Sequence, residues 1–547
     1  MQGAAASGLG AAAQALSLAG WERAAFAAQA CNTTGNGVWG DLVGSINGNT
    51  GNWTCGSYPG VSVLEIYAKG GSSQYETFWL SGLTTNSDFQ DHFLNSAALG
   101  LGNVNWSANT AFAPCNGADI PISTWYHPFA QQAPIGSQTT GDLIYWGPAA
   151  KPLWNRPDIL NRCHMVTLVT RPAEHDFLVP HEASVPNSLT GLTLDNTRLC
   201  GTGSAFQHRV QELAAASNQP AGLPSAYVLY GPTGGPLAPP AMVATGEHPG
   251  SARPVLIQVQ TTDDFYNNLA RSNVTKPEAD ELYLALRHDY RSRLLFQGVE
   301  PVRSAHFGSY WAAADLLTNA PAMQGLFANG LLVIDQQVKI CPTYSGVAPL
   351  FQPGTKTMIH AAASLLAGPA RYVGVVDSGL ARDYDTHGNT AHPYDHVLST
   401  CANFFDTLKH LADNIYHPTV NPTGLLNLDN TMIVLTTEFG RTSGIVNTGR
   451  EHNPQGVLAI IIGGRPPTAP TISGAIDQNG NTVADYQYCF ADLRAAMLLA
   501  GGIDPFAAPG NFREADFSDA LKAGVTGTGT VYQAGIRDNL KRLILGL

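Results

Sequence analysis

The chain has 547 residues, enough to bury a large core and, on length alone, to form more than one domain. Hydrophobic residues make up 44% and charged residues only 13%, about half the usual share of roughly 25%, so the chain is globular rather than disordered. The net charge of -12, with no clustered run of Lys and Arg, argues against a nucleic-acid-binding surface.

Residues 1–30 read as the remnant of an export signal. "GAAASGLGAAAQALSLAG" is a small-residue apolar run, and "AFAAQA" before Cys31 resembles a cleavage region. Gln2 stands where a basic segment belongs, so the expected form is a trimmed twin-arginine signal that starts upstream; an Ala-rich helix is the alternative. The expected location is periplasmic or secreted. Residues 31–60 and 100–145, rich in Asn, Gly, Thr and Trp, read as long loop insertions within one domain over 31–547. The eight cysteines form no CxxC pair, which makes a zinc ribbon or thioredoxin-type motif unlikely, and their spread suits disulfides in an oxidising compartment. Cys31 with Cys55 is the first pair expected; buried thiols on helices, Cys401 especially, are the other reading.

Five short runs rich in β-branched residues predict buried strands: "VSVLEIYA" (61–68), "MVTLVT" (165–170), "ARYVGVVDSG" (370–379), "TMIVLTTEFG" (431–440) and "GVLAIIIGG" (456–464). Between the third and fourth, Val397, Cys401, Phe404, Phe405, Leu408 and Leu411 recur at spacings of three and four, the pattern of an amphipathic helix. "PEADELYLALRHDYRSRLL" and "ADLRAAMLLAGG" read as further helices. Strands alternating with helices imply an α/β fold with a largely parallel sheet, helices on both faces and long loop insertions. No stretch is long and apolar enough to span a bilayer.

In such folds ligands collect beyond the carboxyl ends of the strands. Gly70, Gly71, Ser72 and Ser73 follow the first strand; Arg171, His175 and His181 follow the second. "DYDTHGNTAH" (383–392), with Asp385 and His387, follows the third, Glu438 and Arg441 end the fourth, and Glu451 and His452 precede the fifth. Asp385, His387, Glu438 and His452 form an oxygen-nitrogen set suited to one divalent ion: zinc, calcium, manganese or iron. A salt-bridge network at the sheet edge, with Arg441 paired to Glu438, is the competing reading. Arg171 suits bidentate contact with an anion, or a pair with Glu174 or Asp176. Ser73 is a hydroxyl nucleophile candidate or a turn residue.

"GGSSQYETF" (70–78), "YDTHGN" (384–389), "LDNTMIVLTTEFGRT" (428–442) and "GREHNPQG" (449–456) resemble, in order and spacing, the motifs of an exported bacterial family of unknown function, DUF1501. That family is placed in the alkaline phosphatase/sulfatase-like superfamily. The resemblance implies an alkaline phosphatase-like core with a metal at the sheet's carboxyl edge, held by Asp385, His387, Glu438 and His452. It implies a hydrolase of small anionic esters, phosphate or sulfate, in which the metal stabilises charge on the ester oxygen. Departures are visible. Phe439 stands where those enzymes place a His ligand, so a second metal is in doubt, and Trp79 replaces an acid. "HEASVPNSLTG" (181–191) aligns His181 with the sulfatase nucleophile, and a His cannot become formylglycine. His181 is left as a ligand, general base, nucleophile or structural histidine. Phe439, Trp79 and His181 favour the alternative: a non-catalytic secreted binding or assembly protein, met by a partner protein, that keeps the fold and at most one structural metal.

Overall fold

A computed structural model of the chain describes residues 61–74, 150–170, 201–216, 223–232, 254–271, 319–335, 353–385, 393–464, 470–507 and 512–546, a few positions within these ranges excepted, with brief stretches between them. The expected signal at 1–30, the loops at 31–60 and 100–145, and Cys31 and Cys55 lie outside the described residues.

The strands used below are β1 (Ser62–Ala68), β2 (Cys163–Val169), β3 (Ala226–Tyr230), β4 (Val255–Gln258), β5 (Tyr372–Asp377), β6 (Thr431–Thr437), β7 (Gly440–Val446), β8 (Gly449–Asn453), β9 (Val457–Gly463), β10 (Thr471–Ser473) and β11 (Tyr488–Cys489). Nine of them form one sheet in the order β10-β2-β9-β6-β1-β5-β3-β4, with β11 also on β2; β7 and β8 form a separate hairpin. All five predicted strands are present. Pairing from β6 through β1, β5 and β3 to β4 is parallel, whereas β9 runs antiparallel to both β6 and β2. The fold is therefore mixed α/β with a mostly parallel sheet. The reversed β9 follows from the hairpin, which turns the chain back after β6. The sequence pattern predicts no strand at 440–453, where Gly, Thr and Asn weaken the alternation.

Helices cover both faces of the sheet, and the strands read as continuous apolar runs for that reason. They include α1 (Thr202–Ala216), α2 (Thr355–Leu366), α3 (Pro393–Asn414), α4 (Phe490–Ala500) and α5 (Gly529–Asn539). Leu64, Ile66 and Ala68 of β1 share one core with Met358 and Ile359 of α2 and Leu408 and Leu411 of α3. Val63 and Tyr67 share the opposite core with Leu493 and Met497 of α4. The expected helices at 397–411 and 491–502 thus correspond to α3 and α4, and helical positions recur between 277 and 292. Among the described residues no disulfide is present. Cys163 is buried with Sγ 3.4 Å from the Ile159 carbonyl, and Cys489 stands at the N-cap of α4.

One charge sits in the middle of the central strand. Glu65 is fully buried, its Oε1 2.9 Å from Nη2 of Arg494 on α4, and it accepts a hydrogen bond from the Tyr372 hydroxyl at 2.5 Å. Nη1 of Arg494 donates to Thr202 at 2.7 Å. The cluster ties β1, β5, α1 and α4 together across one core.

Two outcomes follow for stability. Arg494→Met strands a carboxylate in that core and should cost ~3–5 kcal/mol in denaturant unfolding, while Glu65→Leu/Arg494→Met should recover most of the loss. At the start of α4, Asp492 accepts from the Cys489 and Ser518 amides at 2.9 and 3.1 Å, yet burial pushes its carboxyl from 3.8 up to about 6. Because the folded state holds this proton more tightly than the unfolded chain, its contribution is complete below pH 3.8 and fades as pH rises through about 6. Across that window the native chain should lose about 3 kcal/mol of unfolding free energy relative to Asp492→Asn, measured by denaturant titration at each pH.

Candidate functional site

The site is built around the end of β1. Gly70 and Gly71 adopt φ of +107° and +78°, a region that L side chains rarely enter. A Cβ on Gly70 would lie 2.5 Å from the Asp385 nitrogen, and one on Gly71 would lie 2.3 Å from the Phe439 ring. The two glycines therefore let the segments after β5 and β6 close directly over the end of β1. Two further bonds hold that closure: the Gly70 amide donates to Glu438 Oε1 at 3.0 Å, and the Ser72 amide donates to Thr437 Oγ1 at 2.7 Å.

Arg441 is the junction. It is fully buried, with Nε donating to the Gly71 carbonyl at 2.9 Å, Nη1 to the Arg450 carbonyl at 3.2 Å, and Nη2 to the Gly70 carbonyl and to Asp385 Oδ1, the last at 2.7 Å. Its own amide donates to Gln74 Oε1 at 3.0 Å. The guanidinium lies 5.0 Å over the Phe439 ring, whose other neighbour is the His452 ring at 4.3 Å. His452 pairs across from Arg441 in the β7–β8 hairpin. Because β9 is antiparallel, its beginning and the preceding hairpin lie at the same sheet edge as the carboxyl ends of β1, β5 and β6.

The edge is rich in carboxylates. Burial pushes Asp383 above the usual range; Lys69, at 3.7 Å, opposes this, and the neighbouring Asp385 and Glu438 add to it. Burial likewise pulls the Arg441 guanidinium down, while Asp385, Glu438 and Asp383 hold it up. Three acids and two cations thus share the space over the glycine turn, and the guanidinium stays charged.

Of the residues singled out in the sequence, Asp385, Glu438 and His452 are brought to this edge. His387, Arg171 and His181 lie outside the described residues. Ser73 is fully buried, whereas Ser72 is partly exposed. The 2.7 Å ion pair of Arg441 is made with Asp385, where the sequence points to Glu438. Among the described residues no group of three His, Cys, Asp or Glu side chains is spaced to hold a metal ion. Asp383 and Lys69 also belong to the edge, although sequence reasoning does not single them out. The signal for Asp383 is its place two residues before Asp385, within the same acidic segment.

The model of a protein family described as "Protein of unknown function (DUF1501)" matches residues 305–520, which supports placing the chain in that family. The matched span holds Asp383, Asp385, His387, Glu438, Arg441 and His452; the glycine turn, Arg171 and His181 precede it. No curated protein and no solved structure matches the chain.

Lysine keeps the charge at position 441 but offers one nitrogen in place of a planar fork. Arg441→Lys should therefore leave buried carbonyls of Gly71 and Arg450 unmet and lower unfolding free energy by about 3 kcal/mol, measured by denaturant titration.

Proposed function

We propose that this edge binds one divalent cation and that the chain is an exported hydrolase of phosphate, sulfate or related esters, built on an alkaline phosphatase-like core. The observation that carries the reading is the convergence of Asp383, Asp385 and Glu438 on one glycine turn, close enough for two of them to raise the pKa of the third. Such crowding of like charge is relieved by a bound cation.

The donors fit in type. Carboxylate oxygens with an imidazole suit zinc, manganese, iron or calcium. Asp385, Glu438, His452 and His387 are the ligands in this reading, and because Phe439 cannot coordinate where a second His ligand would stand, a single ion is proposed. Arg441 holds Asp385 by Oδ1 at 2.7 Å, which fixes the carboxylate at the edge. The Phe439 ring fixes the His452 ring from one side. Lys69 and Arg441 place positive charge beside the turn, which favours an anionic ester. His181 and Arg171 are assigned to the substrate side. When bound, a divalent ion would polarise the ester oxygen and activate a water molecule.

A second reading is favoured by one observation: the Arg441 guanidinium already neutralises Asp385 at 2.7 Å. On that reading the edge is a structural ion-pair junction, and the chain is a non-catalytic secreted protein that binds a partner protein.

Elemental analysis of protein purified without a nickel column separates the two. About one ion per chain is expected, lost in Glu438→Ala and in His452→Ala with little change in far-UV circular dichroism, together with hydrolysis of aryl phosphate or aryl sulfate esters that disappears in the same variants. Protein free of metal from the start would sink the hydrolase and leave the ion-pair junction.

A further inference from the structure

The segment that carries Asp383 and Asp385 is held from behind by a buried carboxylate with no place in the chemistry above. Asp377, the last residue of β5, is fully buried and accepts four hydrogen bonds. Oδ1 takes the Thr355 hydroxyl of α2 and the Gly379 amide, both at 2.9 Å. Oδ2 takes the Tyr384 hydroxyl at 2.7 Å and the Thr407 hydroxyl of α3 at 2.5 Å. Tyr384 stands between the two site aspartates, is itself buried, and its amide donates to the Lys69 carbonyl beside the glycine turn at 2.7 Å. One turn before Thr407 on the same helix, Asn403 accepts from the Leu380 amide at 2.8 Å and donates to the Asp383 carbonyl at 3.3 Å.

These bonds share a direction. Together they tie the end of β5 and the chain after it to the helices behind and to the end of β1 in front. The Tyr384 ring packs in the core while its hydroxyl meets Asp377, and burying it fixes the backbone on both sides. A carboxylate four donors deep costs more to desolvate than a packed apolar residue, so a role in bulk stability alone would not call for it.

We infer that Asp377 is a positioning residue: through Tyr384, and with Asn403 and Thr407 of α3, it sets where Asp383 and Asp385 stand at the sheet edge. The inference rests on the cation reading for its purpose, and on these hydrogen bonds alone for its geometry. Groups of this kind behind metal ligands typically alter affinity 10–100-fold when removed.

The test uses the full chain with Tyr384→Phe, Asp377→Asn and, as a buried carboxylate bonded to Cys489 and Ser518 in place of the segment after β5, Asp492→Asn. In metal-stripped protein, amide hydrogen exchange is followed at Gly379, Leu380, Tyr384 and Asp385. Zinc affinity is then measured by competition with a chromophoric chelator. Tyr384→Phe and Asp377→Asn should speed exchange at those amides by roughly 10-fold, as the loss of one buried hydrogen bond does. They should weaken zinc binding by roughly 10-fold or more, while Asp492→Asn moves neither readout. Unchanged exchange in folded Tyr384→Phe overturns the inference, as does faster exchange with native zinc affinity. If Asp377→Asn does not fold, the conservative tyrosine variant decides alone. A native chain that takes up no zinc defeats the cation reading instead, and exchange in Tyr384→Phe then decides positioning by itself.

Discussion

A guanidinium shut away from water must find an acceptor for each of its three nitrogens, and this constraint organises the sheet edge. Arg441 meets it with carbonyls from the end of β1, a carbonyl from the far strand of the hairpin, and a carboxylate from the segment after β5. Three loops distant in sequence are therefore fixed by one side chain. The glycines at 70 and 71 are the steric condition, because a methyl group at either position would strike Asp385 or Phe439. The Phe439 ring is the apolar floor on which the guanidinium and the His452 imidazole both rest.

The rest of the fold supplies the platform. Parallel strands β6, β1 and β5 bring three carboxyl ends side by side, and the single reversal at β9 delivers the hairpin to the same edge. Buried polar groups recur behind it at graded depth. Glu65 and Arg494 lock the central strand to α4, and Asp377 locks the end of β5 to α2 and α3. Each draws its partners from different elements, so each specifies a particular arrangement of elements beyond simple burial.

Much of the sheet was legible in the sequence, because a strand covered on both faces must be apolar at nearly every position. "TMIVLTT" and "VLAIII" admit few other readings. The direction of β9 was not legible, since periodicity carries no sign. The hairpin at 440–453 was missed because its strength lies in buried arginines at 441 and 450, residues that composition assigns to surfaces. At the site, the convergence of Asp385, Glu438 and His452 could be anticipated from their places at strand ends. The partner of Arg441 could not: Glu438 is three residues away, whereas Asp385 is 56 residues away and becomes a neighbour only once β5 and β6 flank β1. Asp377 gave no signal because an acid at the end of an apolar run looks like the start of a loop.

The position of β1 in the chain also bears on how the protein comes into being. The strand is made early, yet its partners are Tyr372–Asp377 and Thr431–Thr437, and the cation for Glu65 is at 494. At translation speeds of ~5–20 residues per second, roughly 20–90 seconds separate synthesis of that carboxylate from synthesis of its arginine. For all that time an apolar strand destined for the centre of the sheet is an orphan edge with a charge in its middle. That charge makes premature pairing costly, because any other dry environment would bury it alone. A residue that anchors the finished core thus also disfavours burial of the nascent strand before its arginine has been made.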